Sequence, residues 1–289
     1  MNFNTESPAT REELLQCLRR HQSADFRLAA GGTDLLIELK KSGPEDLTLI
    51  NLGRLEDEEF TGITIHPAEI RIGALVTAAR IHKDPYIHEH FPVLHQAARS
   101  LASAQIREVA TIGGNVCQAS PSGDLSCALA ALNATCEIID MDGKIRHETL
   151  SGFFRGPGKT SLLKSEVLKG ISIPVNQDET LMSGFIKIGK RLAMECSIVS
   201  IGYHFQMNAT GTVIQAGIAI GAVAPTVVFC TRAAAFVTGK KVNDLTEEEQ
   251  LQVAGLIRQA ASPIDDLRAS AWYRSEVLFN SARSIFEKA

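Results

Sequence analysis

Apolar and polar positions alternate along this chain with two different periods. Thr10 and Glu13 form a capping-box pattern ahead of Leu14, Leu15 and Leu18, which predicts an amphipathic helix over about 10–21. Short runs rich in branched and aromatic residues predict strands at "FRLAA", at "LTLINLG", and at the paired runs of "GITIHPAEIRIGALV", a hairpin turning at Pro67-Ala68. Residues 77–104 carry a helical pattern that Pro85 and Pro92 interrupt. "CEIIDMDGKIRHETL" predicts a hairpin turning at Asp142-Gly143. "VLKGISIP" and "GFIKIGK" read as further strands, and "SIVSIGYHFQMNATGTVIQAGIAIGAVAP" as two or three antiparallel strands turning at Asn208–Gly211. Two helices are expected after that, one opened by a second capping box at Thr246 and Glu249, the other running from about Pro263 to the end. Hairpins mixed with helices indicate an α+β fold rather than alternating βαβ units.

The polar stretch "PVNQDET" places a domain boundary near 176, giving residues 1–176 and 177–289. With 289 residues, 45% of them apolar, the chain can bury more than one core. The formal net charge is −4 and no basic block occurs, which argues against nucleic acid as a partner. No apolar run approaches the roughly 20 residues that cross a bilayer. "MNFNTESPAT" has no basic stretch followed by an apolar one, so no signal peptide is expected and a cytoplasmic location is favoured. Cys17, Cys117, Cys127, Cys136, Cys196 and Cys230 are scattered, without the clustered spacing of metal or iron–sulfur ligands, and read as small buried hydrophobes. No metal site is expected on this chain.

The candidate chemistry lies in two glycine pairs. "LAAGGTDLLIELKK" sets Gly31-Gly32 between a buried strand and a short helix. Such a corner is either a tight turn or a nest of N–H groups for an anion. "ATIGGNVCQASPSGDLSCALAAL" adds Gly113-Gly114, with the content of a long ordered loop from Gly113 to Asp124 and an apolar helix after it. Two such corners in one domain suit a pyrophosphate, and Asp124 suits a sugar hydroxyl or an adenine amino group. The spacing is not G-x-G-x-x-G, which disfavours a nicotinamide dinucleotide held in a Rossmann unit. "GPGKTS" imitates a P-loop but has Phe153 where the first glycine belongs, so it reads as a surface turn.

Taken together, "AGGTDLL", "TIGGN…ASPSGDL", "FFRGPGKTSLLKSEVLKGISIP", "GAVAPTVVFC" and "DDLRASAWYR" resemble, in order, the FAD-binding medium subunit of the molybdenum hydroxylases, the xanthine dehydrogenase and carbon monoxide dehydrogenase type. The resemblance implies a two-subdomain FAD-binding fold over 1–176, with subdomains at about 1–57 and 58–176, and a C-terminal α+β domain with a small antiparallel sheet over 177–289. It implies non-covalent FAD held by Arg27, Leu28, Ala29, Ala30, Gly31, Gly32, Thr33, Asp34 and Leu35 at the first corner. At the second it implies Ala110, Thr111, Ile112, Gly113, Gly114, Asn115, Gln118, Ser120 and Asp124. Leu168, Phe185 and Lys187 are then expected near the flavin ring or its ribityl chain. Lys187 has an equally good reading as a solvated charge at a strand end. Gln118 departs from the threonine frequent in that family, and the insertion that carries an extra iron–sulfur cluster in one branch is missing.

By the same resemblance, substrate is hydroxylated at molybdopterin on a large subunit, and electrons pass through two [2Fe–2S] clusters on a small subunit to FAD. They leave for an acceptor that in a xanthine-dehydrogenase-like branch is NAD⁺. The assembly implied is a dimer of heterotrimers, and the iron–sulfur partner is expected to dock on an exposed apolar surface near the flavin. No catalytic residue is assigned to this chain. Two other readings compete: a free-standing FAD-dependent reductase or oxidase of the same fold, and a non-redox P-loop protein.

Overall fold

The computed structural model describes residues 3–42, 46–175, 180–191 and 194–287. The boundary expected at 176/177 lies outside the described residues. The N-terminal unit consists of β1 (Asn4–Glu6), α1 (Arg11–Arg20), β2 (Phe26–Ala29), α2 (Leu35–Ser42) and β3 (Thr48–Asn51). Its sheet has the order β1-β3-β2 with both pairings parallel. This is a small βαβαβ unit, which the sequence reading did not anticipate: β1 is three residues long and polar, too short to display a period. Thr10 caps α1 by accepting from the Glu13 N–H, and Glu13 in turn accepts from Ala9 N–H.

The second unit opens with α3 (Glu58–Thr61), β4 (Ile63–Ile65) and β5 (Glu69–Gly73), followed by α4 (Ala78–Lys83), α5 (Pro85–His90) and α6 (Pro92–Ser100). Pro85 and Pro92 each start a helix, because the first turn needs no proline N–H. Then come α7 (Ala104–Val109), α8 (Ile112–Gln118), α9 (Asp124–Ala131), β6 (Thr135–Asp140), β7 (Ile145–Thr149), α10 (Leu150–Phe153), β8 (Phe154–Gly156), β9 (Lys159–Thr160) and β10 (Glu166–Pro174). The five-stranded sheet β4-β5-β10-β6-β7 is antiparallel throughout. "GPGKTS" forms the β8–β9 hairpin, not a strand-loop-helix.

The segment from Gly113 to Asp124 is not one long loop, as the sequence suggested. Thr111 caps a helix there by accepting from Gly114 N–H, while Val76 and Ala74 carbonyls accept from Ile112 and Gly113. Two glycines cost a helix about 1 kcal/mol each. Tertiary contact overrides that cost: a Cβ on Gly113 would lie 2.6 Å from the Ala74 side chain.

The C-terminal domain contains the antiparallel sheet β11 (Thr180–Ile188), β12 (Val199–Met207), β13 (Val213–Gly221) and β14 (Val228–Phe229), backed by α11 (Thr231–Val237), α12 (Glu247–Ala260) and α13 (Ala271–Arg283). The Thr246–Glu249 capping box is present. α13 begins well after Pro263, because Asp266 accepts from Arg268 and Ala269 N–H and Asp265 from Ala271 N–H, local bonds that compete with a helix. Burial raises the Asp266 carboxyl, but these N–H donors and the Arg274 guanidinium 2.7 Å away hold it down at about 2. Arg274 is itself buried and donates to the Ile198 and Ala222 carbonyls.

The two halves of the molecule meet along α9, whose residues are all buried. A Cβ on Gly217 of β13 would lie 1.8 Å from the Ala131 carbonyl oxygen, so the helix backbone sits directly on the sheet. Ser183 of β11 accepts from Val93 N–H at 3.2 Å and stands 3.0 Å from Nδ1 of His204. Ser183 therefore has its proton free to donate to a neutral imidazole. Burial pushes the His204 pKa down to about 4.

Two outcomes are expected from this interface. Gly217→Ala should lower stability by about 1–3 kcal/mol, measured by urea unfolding, since the added methyl must push α9 off the sheet; an unchanged midpoint contradicts the contact. For His204, the unfolded chain takes up a proton below its ordinary pKa of 6.5 while the folded chain resists down to about 4. The stability from the neutral ring is therefore complete above 6.5 and lost as the pH falls to 4, on the order of 3 kcal/mol in all. His204→Asn keeps an acceptor for Ser183 and should flatten the unfolding free energy between pH 7 and 4.5 relative to the unmodified chain.

Candidate functional site

The first glycine corner lies at the end of β2. Gly32 has φ +68, a left-handed value that a side chain resists, and it turns the chain from β2 into α2. Gly31 lies against the segment before the second corner: a Cβ there would be 1.9 Å from the Val109 carbonyl oxygen. Among the described residues, the N–H groups of Gly31, Gly32, Thr33, Asp34 and Leu35 donate no hydrogen bond within the chain. Five consecutive free donors at a left-handed corner and a helix start form an anion nest. Asp34 is exposed and accepts from the Thr33 hydroxyl. Arg27 is exposed, while Leu28, Ala29, Ala30 and Leu35 are half-buried.

The second corner is built differently. Ala110 accepts from Ala78 N–H, and the N–H groups of Ile112, Gly113, Gly114 and Asn115 are all used inside the chain. Only Gly114 of the four is exposed, so this corner offers surface rather than spare donors. Asn115 holds α9 by accepting from both Ser126 N–H and its hydroxyl, each at 3.0 Å. Gln118 reaches across to α2 and donates to Glu38 at 2.8 Å, tying the two corners together. Ser120 accepts from Ser122 N–H.

Asp124 stands in the first turn of α9 and is 5% exposed. Both of its oxygens are engaged: Lys187 Nζ lies 2.6 Å from Oδ2, and Ser197 Oγ lies 2.7 Å from Oδ1. Burial pushes the Asp124 carboxyl up, opposed by the Lys187 charge and the two hydrogen bonds. Lys187 also donates to the Ser100 carbonyl at 3.1 Å. Lys187 is therefore not the solvated strand-end charge that one reading of the sequence allowed; its side chain is 14% exposed and pairs across the domains. Phe185, two residues earlier on β11, packs on the main core and donates its N–H to Gln96. Leu168 is buried in the same core on β10.

Gln96, Ser100, Ser197 and Glu38 were missed by sequence reasoning. Each is an isolated polar residue far along the chain from its partner, and no local pattern marks it. Four exposed apolar side chains, Leu36, Ile37, Ile106 and Val109, flank the first corner. Four of the six cysteines are buried, and all six are free thiols. Among the described residues no group of metal-ligating side chains could hold an ion, and no helix is long and apolar enough to cross a membrane.

Comparison with known proteins gives this arrangement a context. Residues 1–176 match the model of the FAD binding domain in molybdopterin dehydrogenase, and residues 185–289 that of the CO dehydrogenase flavoprotein C-terminal domain. A putative xanthine dehydrogenase FAD-binding subunit of Escherichia coli (strain K12) is 31% identical over 264 residues, covering 91% of this chain and 88% of the relative. A nicotinate dehydrogenase FAD-subunit of Eubacterium barkeri is 28% identical over 99% of this chain and 94% of its own length. Among solved structures, carbon monoxide dehydrogenase from Hydrogenophaga pseudoflava superposes with a TM-score of 0.89 at 26% identity, covering 98% of this chain and 96% of that one. Free donors at a left-handed glycine corner, a second glycine turn tied to it, and matches along nearly the whole length lead to one assignment: this chain belongs to the FAD-binding oxidoreductase subunits of the molybdenum hydroxylase family.

Proposed function

We propose that this chain binds one non-covalent FAD and serves as the electron outlet of a molybdenum hydroxylase, between iron–sulfur clusters on a partner and an acceptor such as NAD⁺. The observation that carries the reading is the run of five unused N–H groups from Gly31 to Leu35 beside the second glycine turn. Such a run of free N–H donors suits the charge of a diphosphate. We assign Arg27–Leu35, Ala110–Asn115, Gln118, Ser120, Asp124, Leu168, Phe185 and Lys187 to the cofactor's surroundings. The division is into 1–176, with subdomains of about 1–57 and 58–176, and 177–289.

The bound cofactor would supply storage for two electrons between one-electron donors and a two-electron acceptor. The chain's own part is to bind and orient. Lys187 uses two of its three ammonium donors on Asp124 and Ser100, which leaves one for an acceptor atom of the ring system. Asp124, fixed by Ser197, aims that ammonium. Phe185, two residues before Lys187 on β11, offers apolar contact, backed by the core that includes Leu168. The exposed side chains of Leu36, Ile37, Ile106 and Val109 offer an apolar surface to a partner subunit. Relatives named as an FAD-binding subunit and as a medium chain support an assembly with further subunits, here proposed as a heterotrimer doubled by a two-fold axis.

Gly32→Val is expected to abolish FAD retention, because a branched side chain at positive φ strains the corner by about 1–3 kcal/mol and closes the nest. Gly211→Val is the control: φ there is +77, the Cβ would meet nothing within 4 Å, and the turn lies in the C-terminal domain. Gly32→Val with full flavin occupancy overturns the pyrophosphate assignment, as does FMN as the bound flavin.

The purified chain alone is expected to oxidise NADH with an artificial dye in a flavin-dependent manner and to hydroxylate no N-heterocycle. Hydroxylation of xanthine by this chain without partners would overturn the subunit reading in favour of a self-contained enzyme.

A further inference from the structure

Between the N-terminal unit and the five-stranded sheet lies a set of charges that the cofactor reading does not use. Lys169 on β10 is 2% exposed, and its Nζ lies 2.8 Å from Glu137 Oε1 and 2.9 Å from Glu59 Oε2. Arg71 on β5 donates through Nε to the other Glu137 oxygen at 2.5 Å and through Nη1 to the Glu59 carbonyl at 2.6 Å. Arg11 on α1 binds Asp57 with two nitrogens and also reaches Glu59. Three cations thus face three carboxylates. Burial raises the Glu137 carboxyl, but Lys169 and Arg71 bring it below the usual range.

Lys169 sits where β10 breaks register: Leu168 pairs with Ile138 and Gly170 with Glu137, so Lys169 is the extra residue of a bulge. The packing shows its effect. Val167 belongs to the core shared with α1, whereas Leu168, Ile171 and Ile173 all belong to the core beneath α8 and α9. In an uninterrupted strand 167, 171 and 173 would share one face, opposite Leu168. The bulge alone puts Leu168 on the same side as Ile171. The Lys169 carbonyl also accepts from Ala74 N–H at 3.0 Å, and the Ala74 carbonyl accepts from Gly113 N–H at 2.9 Å. The bulge is thereby linked through one residue to the second glycine corner. Gly170 completes the arrangement, since a Cβ there would lie 2.7 Å from the Arg71 guanidinium.

We propose that Lys169, clamped between Glu137 and Glu59, is a positioning residue that pins the β10 bulge and through it sets Leu168 and the Gly113 corner for the cofactor. The cofactor half of this statement rests on the FAD reading; the positioning half does not.

The test compares Lys169→Met with Arg11→Met, which opens the same network at its outer end. Lys169→Met is expected to speed hydrogen exchange in peptides containing the Ala74 and Gly113 amides by at least about tenfold. It should weaken FAD binding by at least about tenfold and alter the visible spectrum of the bound flavin. Arg11→Met should lower the melting temperature and move none of these. Should Lys169→Met fail to fold, the double variant with Glu137→Gln removes the stranded carboxylate and is expected to show the same exchange and flavin changes. Wild-type exchange at both amides in a folded variant, or equal effects from Arg11→Met, overturns the proposal. If the unmodified chain binds no FAD, the cofactor reading fails while the exchange data still decide the role of Lys169.

Discussion

The contact on which the rest of the molecule depends is a helix backbone laid on a sheet without side chains between them. α9 reaches β12 and β13 through Ala128, Ala131 and Cys127 on one side and Gly202, Gly217 and Ala219 on the other. The Gly221 end of β13 closes it, with Ala222 N–H donating to the Pro121 carbonyl at 2.6 Å. Small residues permit the approach, and close packing converts it into a fixed geometry. The part of the proposed cofactor site that lies between the two domains hangs from this seam. The serine-rich turn before α9 is held at Pro121, and Asp124 is delivered to the domain boundary. There it meets Lys187 and Ser197 of the other domain.

Buried ion pairs are a weak source of net stability, because desolvation offsets most of their attraction. Their geometric value here is clearer. Three cations, Lys169 and Arg274 buried and Lys187 part-buried, each fix backbone that has no regular partner. Lys169 occupies a bulge, Lys187 holds the Ser100 carbonyl at the end of α6, and Arg274 holds the Ile198 and Ala222 carbonyls where strands end. In each case a carboxylate, Glu137, Asp124 or Asp266, orients the cation. An uncompensated charge at any of these places would be costly, so the three sites lock loops and strand ends that hydrophobic burial cannot specify.

The two corners differ in how far their sequences reveal them. Gly31-Gly32 was legible as a turn because two adjacent glycines weaken a strand or a helix and favour a sharp corner between apolar runs, and Gly32 does take a left-handed φ. Gly113-Gly114 looked the same in sequence, yet these glycines begin a helix and their N–H groups are used. The difference comes from Ala74 and Val76, whose carbonyls accept from that turn. Lys187 could be placed on a strand from its local pattern, but its partner is 63 residues away, so nothing near it foretold the pairing.

What the sequence determined by itself was local or ordered along the chain. Caps at Thr10 and Thr246, helix interruptions at Pro85 and Pro92, the turns at Asp142-Gly143 and Asn208–Gly211, and the succession of motifs that marks the family are all of this kind. They arise from the chemistry of a few neighbouring residues. Tertiary structure alone decided which N–H groups stay free, that Asp124 and Lys187 pair, that α8 is a helix, and that Lys169 is a bulge rather than an ordinary strand residue. Each of those depends on atoms brought together from distant segments by burial, and a contact between distant segments imposes no period or spacing that the chain could display.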